Sequence, residues 1–460
     1  MTAQTPSLWD TGVEQWTKVR PALGSDISCD VLVVGAGYTG LWTAYYLSEL
    51  APHLDIVVAE AERVGYGASG RNGGWLSYLV PGNRQVYEKG PRGHEGLVRL
   101  QRQMVDAVDE VLDVADRSGL AIDARKGGNL VVAPNEAGMA RLRLRYAADL
   151  RAGMATDEVR MLTAAEVAER VDVAGAVGGL YAEACARIHP GKLVRQLADL
   201  VESRGVRIFE RTRITDVEEG VARSHHLRVQ AGSTLICTEG FSGPLLGRRN
   251  VIPIRSTMIA TQQLGDADWE RIGWQEAECL SDTSHTFIYA QRTADGRIAV
   301  GGRGKPYEFG SRIDERQGCH PQVEQALLDR LTQYFPGVRF RADHAWSGVL
   351  GVSRDWCASV RYDRASSVGS SVGYAGHGVA AANLAARTLV DLVLGRDTER
   401  VALPLVDHRP PRWEPEPIRW VGVQTMYRLF RTADAREEKR GATSTSLIAR
   451  AAGKLAGLSP

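Results

Sequence analysis

Four apolar residues running into a glycine turn place the strongest limit on how this chain can fold. Val31, Leu32, Val33 and Val34 are followed at once by Gly35, Gly37 and Gly40. A short β-branched run closed by glycine suits a parallel strand buried on both faces. The Gly-x-Gly-x-x-Gly spacing then gives each glycine a task. Gly35 makes the tight turn, Gly37 lets a pyrophosphate approach the backbone, and Gly40 lets the next helix lie close to the sheet. Leu41 to Leu50 carries that helix, with Leu41, Ala44, Tyr45 and Leu47 on its buried side. A second apolar run, Ile56 to Ala59, ends at Glu60, about 20 residues beyond Gly40, where a carboxylate accepts hydrogen bonds from a ribose. Strand, glycine turn, helix, strand and acid in that order predict a dinucleotide site, which also takes in Tyr38, Thr39 and Ala61. Three glycines serving a plain α/β turn are the alternative.

A chain of 460 residues is long enough for two domains, each with its own core. The net charge of +1 gives no basic footprint, so no nucleic-acid partner is expected. The six cysteines are dispersed and none forms a Cys-x-x-Cys pair, so neither a zinc ribbon nor a dithiol redox pair is indicated, and no metal is expected. The first residues are polar, with no apolar segment of signal-peptide length. No apolar run approaches the ~18 residues of a transmembrane helix. A cytoplasmic protein with free thiols is the expectation.

Residues 1–27 read as a surface leader, which Trp9 and Trp16 dock. Val80 to Glu95 reads as a loop, and Leu97 to Arg117 and Asn135 to Ala152 as helices around a strand after Lys126. Thr163 with Glu166 three residues later is a capping box for a short helix, and Pro190 suits the first turn of another. Val206 to Phe209, Ile214 to Val217 and Leu235 to Gly240 read as strands and their exit turn. Ile252 to Gln262 alternates like a strand, and Asp295-Gly296 between two further runs predicts a hairpin. Pro321 to Tyr334 and Ala380 to Gly395 read as helices. The tail, 408–460, carries a basic amphipathic stretch, Val421 to Phe430, suited to a membrane surface or to the protein's own.

Directly after Glu60 comes Gly65-Tyr-Gly-Ala-Ser-Gly-Arg-Asn-Gly-Gly-Trp75. A nicotinamide site has no need of such a loop there, whereas a flavin site needs one to pass the pyrophosphate and reach the ring. These residues resemble the FAD-dependent amine and amino-acid oxidoreductases of the D-amino-acid oxidase superfamily, and GASGRNGGW is similar to the γ-glutamylputrescine oxidase branch. The resemblance covers roughly residues 28–405. It implies an α/β fold: a Rossmann-like FAD-binding domain of glutathione-reductase type, with an inserted α+β substrate domain built on a mainly antiparallel sheet. The expected FAD domain is 1–89, 151–245 and 344–407; the substrate domain is 90–150 and 246–343.

The cofactor contacts it implies are Gly67, Ala68, Ser69, Arg71, Asn72, Gly73 and Gly74 in the loop, then Thr238 and Gly240. Gly348, Gly376, His377, Gly378 and Val379 complete them, where a helix start faces the flavin. The family often has Ala-Thr-x-Gly where this chain has Cys237-Thr238-Glu239-Gly240. His377, Arg71 and Trp346 are the expected catalytic residues, and Trp75, Tyr78, Tyr289 and Trp346 are either aromatic walls around an amine or ordinary core aromatics. Arg303 would suit an anionic substrate tail or a surface carboxylate, and Asp266, Asp268, Glu270, Glu276, Glu278 and Asp282 would draw in a cationic amine or else form a solvated face.

Two departures carry information. The glycine oxidase branch clamps a carboxylate with arginine in Trp-x-Gly-x-Arg, where this chain has Leu350. Leucine cannot supply a bidentate guanidinium. The sarcosine oxidase branch bonds flavin through a cysteine in that segment, and Trp346 to Trp356 has none, nor is there histidine in Gly65 to Trp75. Non-covalent FAD is therefore expected. The implied activity is oxidation of a small-molecule amine, with oxygen or another acceptor reoxidising the flavin. The rivals are a D-amino-acid dehydrogenase feeding a quinone, an NADPH-dependent flavin monooxygenase, and a non-catalytic protein with structural flavin.

Overall fold

The computed structural model describes residues 4–13, 18–302 and 307–457. Two eight-stranded sheets organise them. At the centre of the first lies Ile27–Val34, parallel to Ile56–Ala59 on one side and to Leu227–Ile236 on the other. Arg207–Phe209 and Val368–Val372 extend it in parallel, and Ser359–Asp363 closes one edge antiparallel. Alternation along the central strand divides its side chains between two cores. Val31 and Val33 face the helices Tyr38–Leu50, Gly93–Arg117, Pro190–Ser203 and Gly378–Leu394, while Leu32 and Val34 pack with Ile214, Ala222 and Val229 on the other face.

The second sheet runs in the order Ala342–Ser353, Val251–Thr261, Ile298–Gly302, Ile288–Arg292, Cys279–Asp282, Asn129–Ala133, Gly178–Ala182 and Val159–Thr163. Every pairing in it is antiparallel except Cys279–Asp282 with Asn129–Ala133. The expected Asp-Gly hairpin is present, with Gly296 at φ +77°. Two expected boundaries move. Val159–Thr163 and Gly178–Ala182 pair into this sheet, so it runs past 150. Ala342–Ser353 pairs along its length with Val251–Thr261, so the sheet also runs past 343. Strand membership is set by pairing partners on other strands, from neighbouring ones to ones far along the chain, which local pattern does not reveal.

The leader is not simply superficial. Trp9 is 2 % exposed, and its indole N–H donates to the Asn72 carbonyl at 2.7 Å. Trp16 lies outside the described residues. The segment expected as a loop after Val80 contains the helix Arg84–Lys89, capped by Asn83. The tail stretch forms the helix Ile418–Arg440, whose Val423 and Tyr427 pack with Ile252, Ile254 and Trp413. Asp434 holds it down by accepting from the N–H groups of His285 and Thr286 and from the Thr286 hydroxyl. That stretch therefore packs on the protein's own surface. Among the described residues no helix is long and apolar enough to cross a membrane, and all six cysteines are free.

The helix Pro190–Ser203 begins as expected, with Pro190 in its first turn and His189 as N-cap. His189 Nδ1 accepts from the Lys192 N–H at 3.1 Å, which only a neutral ring can do. Burial pushes its pKa down to about 4. A histidine whose folded pKa is depressed contributes stability above its ordinary value, and that contribution is lost as pH falls towards 4. We expect acid unfolding to lose about 2–3 kcal/mol across that window. His189→Asn keeps a capping acceptor and should flatten this part of the pH–stability curve measured by denaturant titration.

Candidate cofactor site

A cavity of about 1080 Å³ lies where the first sheet's strands end. Val34 and Gly35, Ala59 and Glu60, and Cys237 and Thr238 line it from three parallel strands. Gly35 turns at φ +105°, and a Cβ there would stand 2.8 Å from the Cys237 carbonyl oxygen. Gly37 is the N-cap of the helix Tyr38–Leu50, and no side chain caps that helix. The Tyr38 N–H instead donates to Ser69 Oγ at 2.8 Å, which docks the glycine-rich loop onto the helix start. Glu60 accepts from the Ala36 N–H at 2.8 Å and the Glu62 N–H at 2.9 Å. Burial pushes its pKa up and those two bonds pull it down.

The helix Gly378–Leu394 also starts at this cavity without a side-chain cap, after Gly376 at φ +104°. Thr39 Oγ1 and the Tyr374 hydroxyl, 3.0 Å apart, link the two helix starts. Leu350 lines the cavity beside this helix start; a Cβ on Gly376 would meet its Cδ1 at 3.7 Å. Two helix N-termini whose N-cap residues supply no side-chain bond face one cavity with positive partial charge, the Tyr38 N–H being taken by Ser69. Such ends bind phosphate and other anions. Together with the glycine cradle at Gly35 and Gly37 and the carboxylate of Glu60, they fit a flavin dinucleotide.

Of the expected contacts, Gly35, Gly37, Tyr38, Thr39, Glu60, Ala61, Gly67, Ala68, Ser69 and Asn72 line the cavity, as do Thr238, Gly240, Gly376, Gly378 and Val379. Others stand behind the wall. Gly40 is where a Cβ would lie 1.9 Å from the Gly35 carbonyl oxygen, so it sets packing and not contact. Gly73 and Gly74 press against Tyr289 and Gln291 of the second sheet, and Gly348 faces Arg71. His377 caps the helix between two lining glycines, its own N–H on the Tyr374 carbonyl.

Of the expected catalytic residues, Arg71, Trp346 and His377, none lines the cavity directly. Arg71 is 2 % exposed and donates to the carbonyls of Ser347, Thr5 and Gln317. Burial pulls its pKa down to about 10. Trp346 is fully buried, donates its indole N–H to the Arg71 carbonyl, and meets Trp9 edge to face at 6.0 Å. Tyr78 is also buried elsewhere, packed with Leu142 and Met154. Trp75 and Tyr289 do come together, edge to face at 6.2 Å, with the Tyr289 hydroxyl 2.8 Å from Ser256 Oγ.

Arg303 lies outside the described residues. The acidic set does not form one face: Glu278 and Asp282 are buried on Arg170 and Arg330, and Glu276 pairs with Arg125. Sequence reasoning missed Glu239 and Tyr374, both of which line the cavity. The one signal for Glu239 was its charge inside an otherwise small and neutral turn.

Comparison with known proteins agrees with this geometry. A family model described as FAD dependent oxidoreductase (DAO) matches residues 30–392. γ-Glutamylputrescine oxidoreductase of Escherichia coli K12 is 30% identical over 411 residues, covering 87% of this chain and 91% of that protein. Glycine oxidase from Geobacillus kaustophilus superposes with a TM-score of 0.68 at 17% identity, over 83% of this chain and 99% of that one. L-Proline dehydrogenase from P. horikoshii gives 0.67 at 15% identity, over 83% and 96%. With a glycine-lined cavity fitted to the dinucleotide and a family match over most of its length, the chain belongs to the DAO family of FAD-dependent oxidoreductases.

Proposed function

We propose that this enzyme oxidises a primary or secondary amine that is not held by an α-carboxylate. The observation that carries the proposal is Leu350 in the cavity wall, beside Gly376 at the helix start. An arginine there would clamp a carboxylate bidentately; leucine offers only apolar surface. The 30% identity to γ-glutamylputrescine oxidoreductase supports a substrate of the same class. When bound, without a covalent link, FAD supplies the acceptor for a hydride from the carbon next to nitrogen; the imine then hydrolyses to an aldehyde, and oxygen takes the electrons to give hydrogen peroxide.

The protein's part is placement. Val349, Leu350 and Pro253 line the wall with apolar groups that exclude water. The Trp75–Tyr289 pair offers aromatic faces beside the flavin loop, which attract an amine in its cationic form on entry. The uncapped helix starts favour the extra negative charge of a reduced cofactor.

The test is anaerobic bleaching of the bound flavin by polyamines, N-methyl amines, amino acids and aminophosphonates. Polyamine-type substrates should bleach it fastest, and aerobic turnover should release peroxide. Reduction by α-amino acids alone, or only by NADPH, would overturn the proposal. Leu350→Arg should raise kcat/KM for small amino acids at least about tenfold, the worth of ~1.4 kcal/mol of transition-state binding. An unchanged substrate profile would remove Leu350 from the substrate wall.

A further inference from the structure

Glu239 follows the strand Leu227–Ile236 and lines the FAD cavity. Its backbone is held at φ +43°, a left-handed conformation that non-glycine residues adopt only when their surroundings enforce it. The carboxylate accepts three backbone N–H bonds: on Oε1 from Gly351 at 3.1 Å and Tyr374 at 3.2 Å, and on Oε2 from Gly373 at 2.9 Å. Gly351 belongs to the second sheet. Gly373 and Tyr374 lead from the first sheet into the helix Gly378–Leu394. One half-buried side chain thus ties both sheets and the helix lead-in together at the cavity wall.

The chemistry of the three donors selects a carboxylate. An ionised carboxylate accepts on both oxygens and donates nothing, whereas a carboxamide would set its own NH₂ against one of the N–H groups. Among the described residues no cation pairs with Glu239. Burial raises its pKa to about 7, opposed by those three bonds. An anion drawn partly out of water without a cation is costly unless something requires it.

We propose that Glu239 is a positioning residue for FAD, which holds the cavity wall in its cofactor-binding shape and makes the bound flavin harder to reduce. Reduction adds negative charge to the cofactor, and a fixed anion in a low-dielectric wall opposes that. The proposal requires FAD in the cavity but not any particular amine, so its test uses a chemical reductant with a reference dye.

Glu239→Gln is compared with the unaltered protein at pH about 8.5, where the carboxylate is ionised. With saturating FAD, the midpoint potential should rise by at least about 30 mV, a tenfold shift in the oxidised-to-reduced ratio of a two-electron couple. The FAD dissociation constant should rise at least about tenfold, ~1.4 kcal/mol, while the unfolding midpoint of the FAD-free protein stays near that of the unaltered protein. Glu239→Asp keeps the charge but withdraws the carboxylate by one methylene, so it should weaken FAD binding with little change in potential. Glu239→Gln with unaltered potential and FAD affinity would overturn the proposal. So would an FAD-free variant that unfolds well below the unaltered FAD-free protein, since that marks a role in folding alone.

Discussion

Gly40→Ala is expected to give a folded but colourless protein. Alanine is the better helix former, so propensity alone favours the change. The added Cβ, however, would stand 1.9 Å from the Gly35 carbonyl oxygen and 3.2 Å from Val33. Neither the carbonyl nor the strand beneath it can rotate aside, so the helix Tyr38–Leu50 must lift from the sheet. Forced overpacking of this kind costs about 1–3 kcal/mol. Lifting the helix also withdraws its N-terminal N–H groups from the pyrophosphate position and stretches the Tyr38 N–H bond to Ser69. Both costs fall on cofactor binding, and together they should weaken FAD by roughly 100-fold or more. Flavin fluorescence titration of the FAD-free protein measures this directly. Retention of yellow colour through gel filtration, with affinity within a few-fold of the unaltered protein, would show that the helix can slide without loss.

The second large effect is expected at Arg71. Its guanidinium ties the leader at Thr5, the loop carbonyl of Gln317 and the strand carbonyl of Ser347 into one cluster. Among the described residues no carboxylate pairs with it at ion-pair distance. Arg71→Met fills similar space but leaves three carbonyls without this donor. The Gln317 carbonyl keeps the Ser347 N–H, so at about 1–3 kcal/mol for each of the other two groups the loss should reach about 2–5 kcal/mol. Denaturant unfolding measures it, and limited proteolysis should cut the leader sooner, because Trp9 and Thr5 are anchored through the same loop. Arg71→Lys should recover little, since one ammonium cannot span three carbonyls set in a fork. A catalytic role would instead lower kcat with stability unchanged, which the buried geometry does not lead us to expect.

Legibility in the sequence followed the range of the interactions. The turn at Gly35, the cap at Thr163 and the hairpin at Asp295-Gly296 rest on neighbours a few residues away, and the acid at Glu60 on a fixed spacing within one strand–helix–strand unit that brings it to Ala36. A residue pattern records such contacts directly, because the backbone conformation and its partner lie in one short stretch. The helix at Pro321–Tyr334 was readable to the residue for the same reason: proline opens it and its apolar rhythm runs unbroken. The resemblance in Gly65–Trp75 then identified the cofactor, since a flavin needs backbone where a nicotinamide does not.

Contacts across the chain were not readable in that way. Arg71 and Trp346 look, in sequence, like polar and aromatic residues beside a cofactor. In three dimensions the leader folds over the loop and turns both into its anchors. Glu239 looks like a departure from a small-residue turn, yet it meets Gly351 and Gly373 from segments more than a hundred residues on. The sequence by itself determined the nucleotide unit and most local elements, because glycine spacing and apolar period act within one turn or one strand, and its family resemblance pointed to the flavin. Only the tertiary structure decided which side chains reach the cavity and which brace it, because a buried polar group is defined by the partners that satisfy it, and those arrive from elsewhere in the chain.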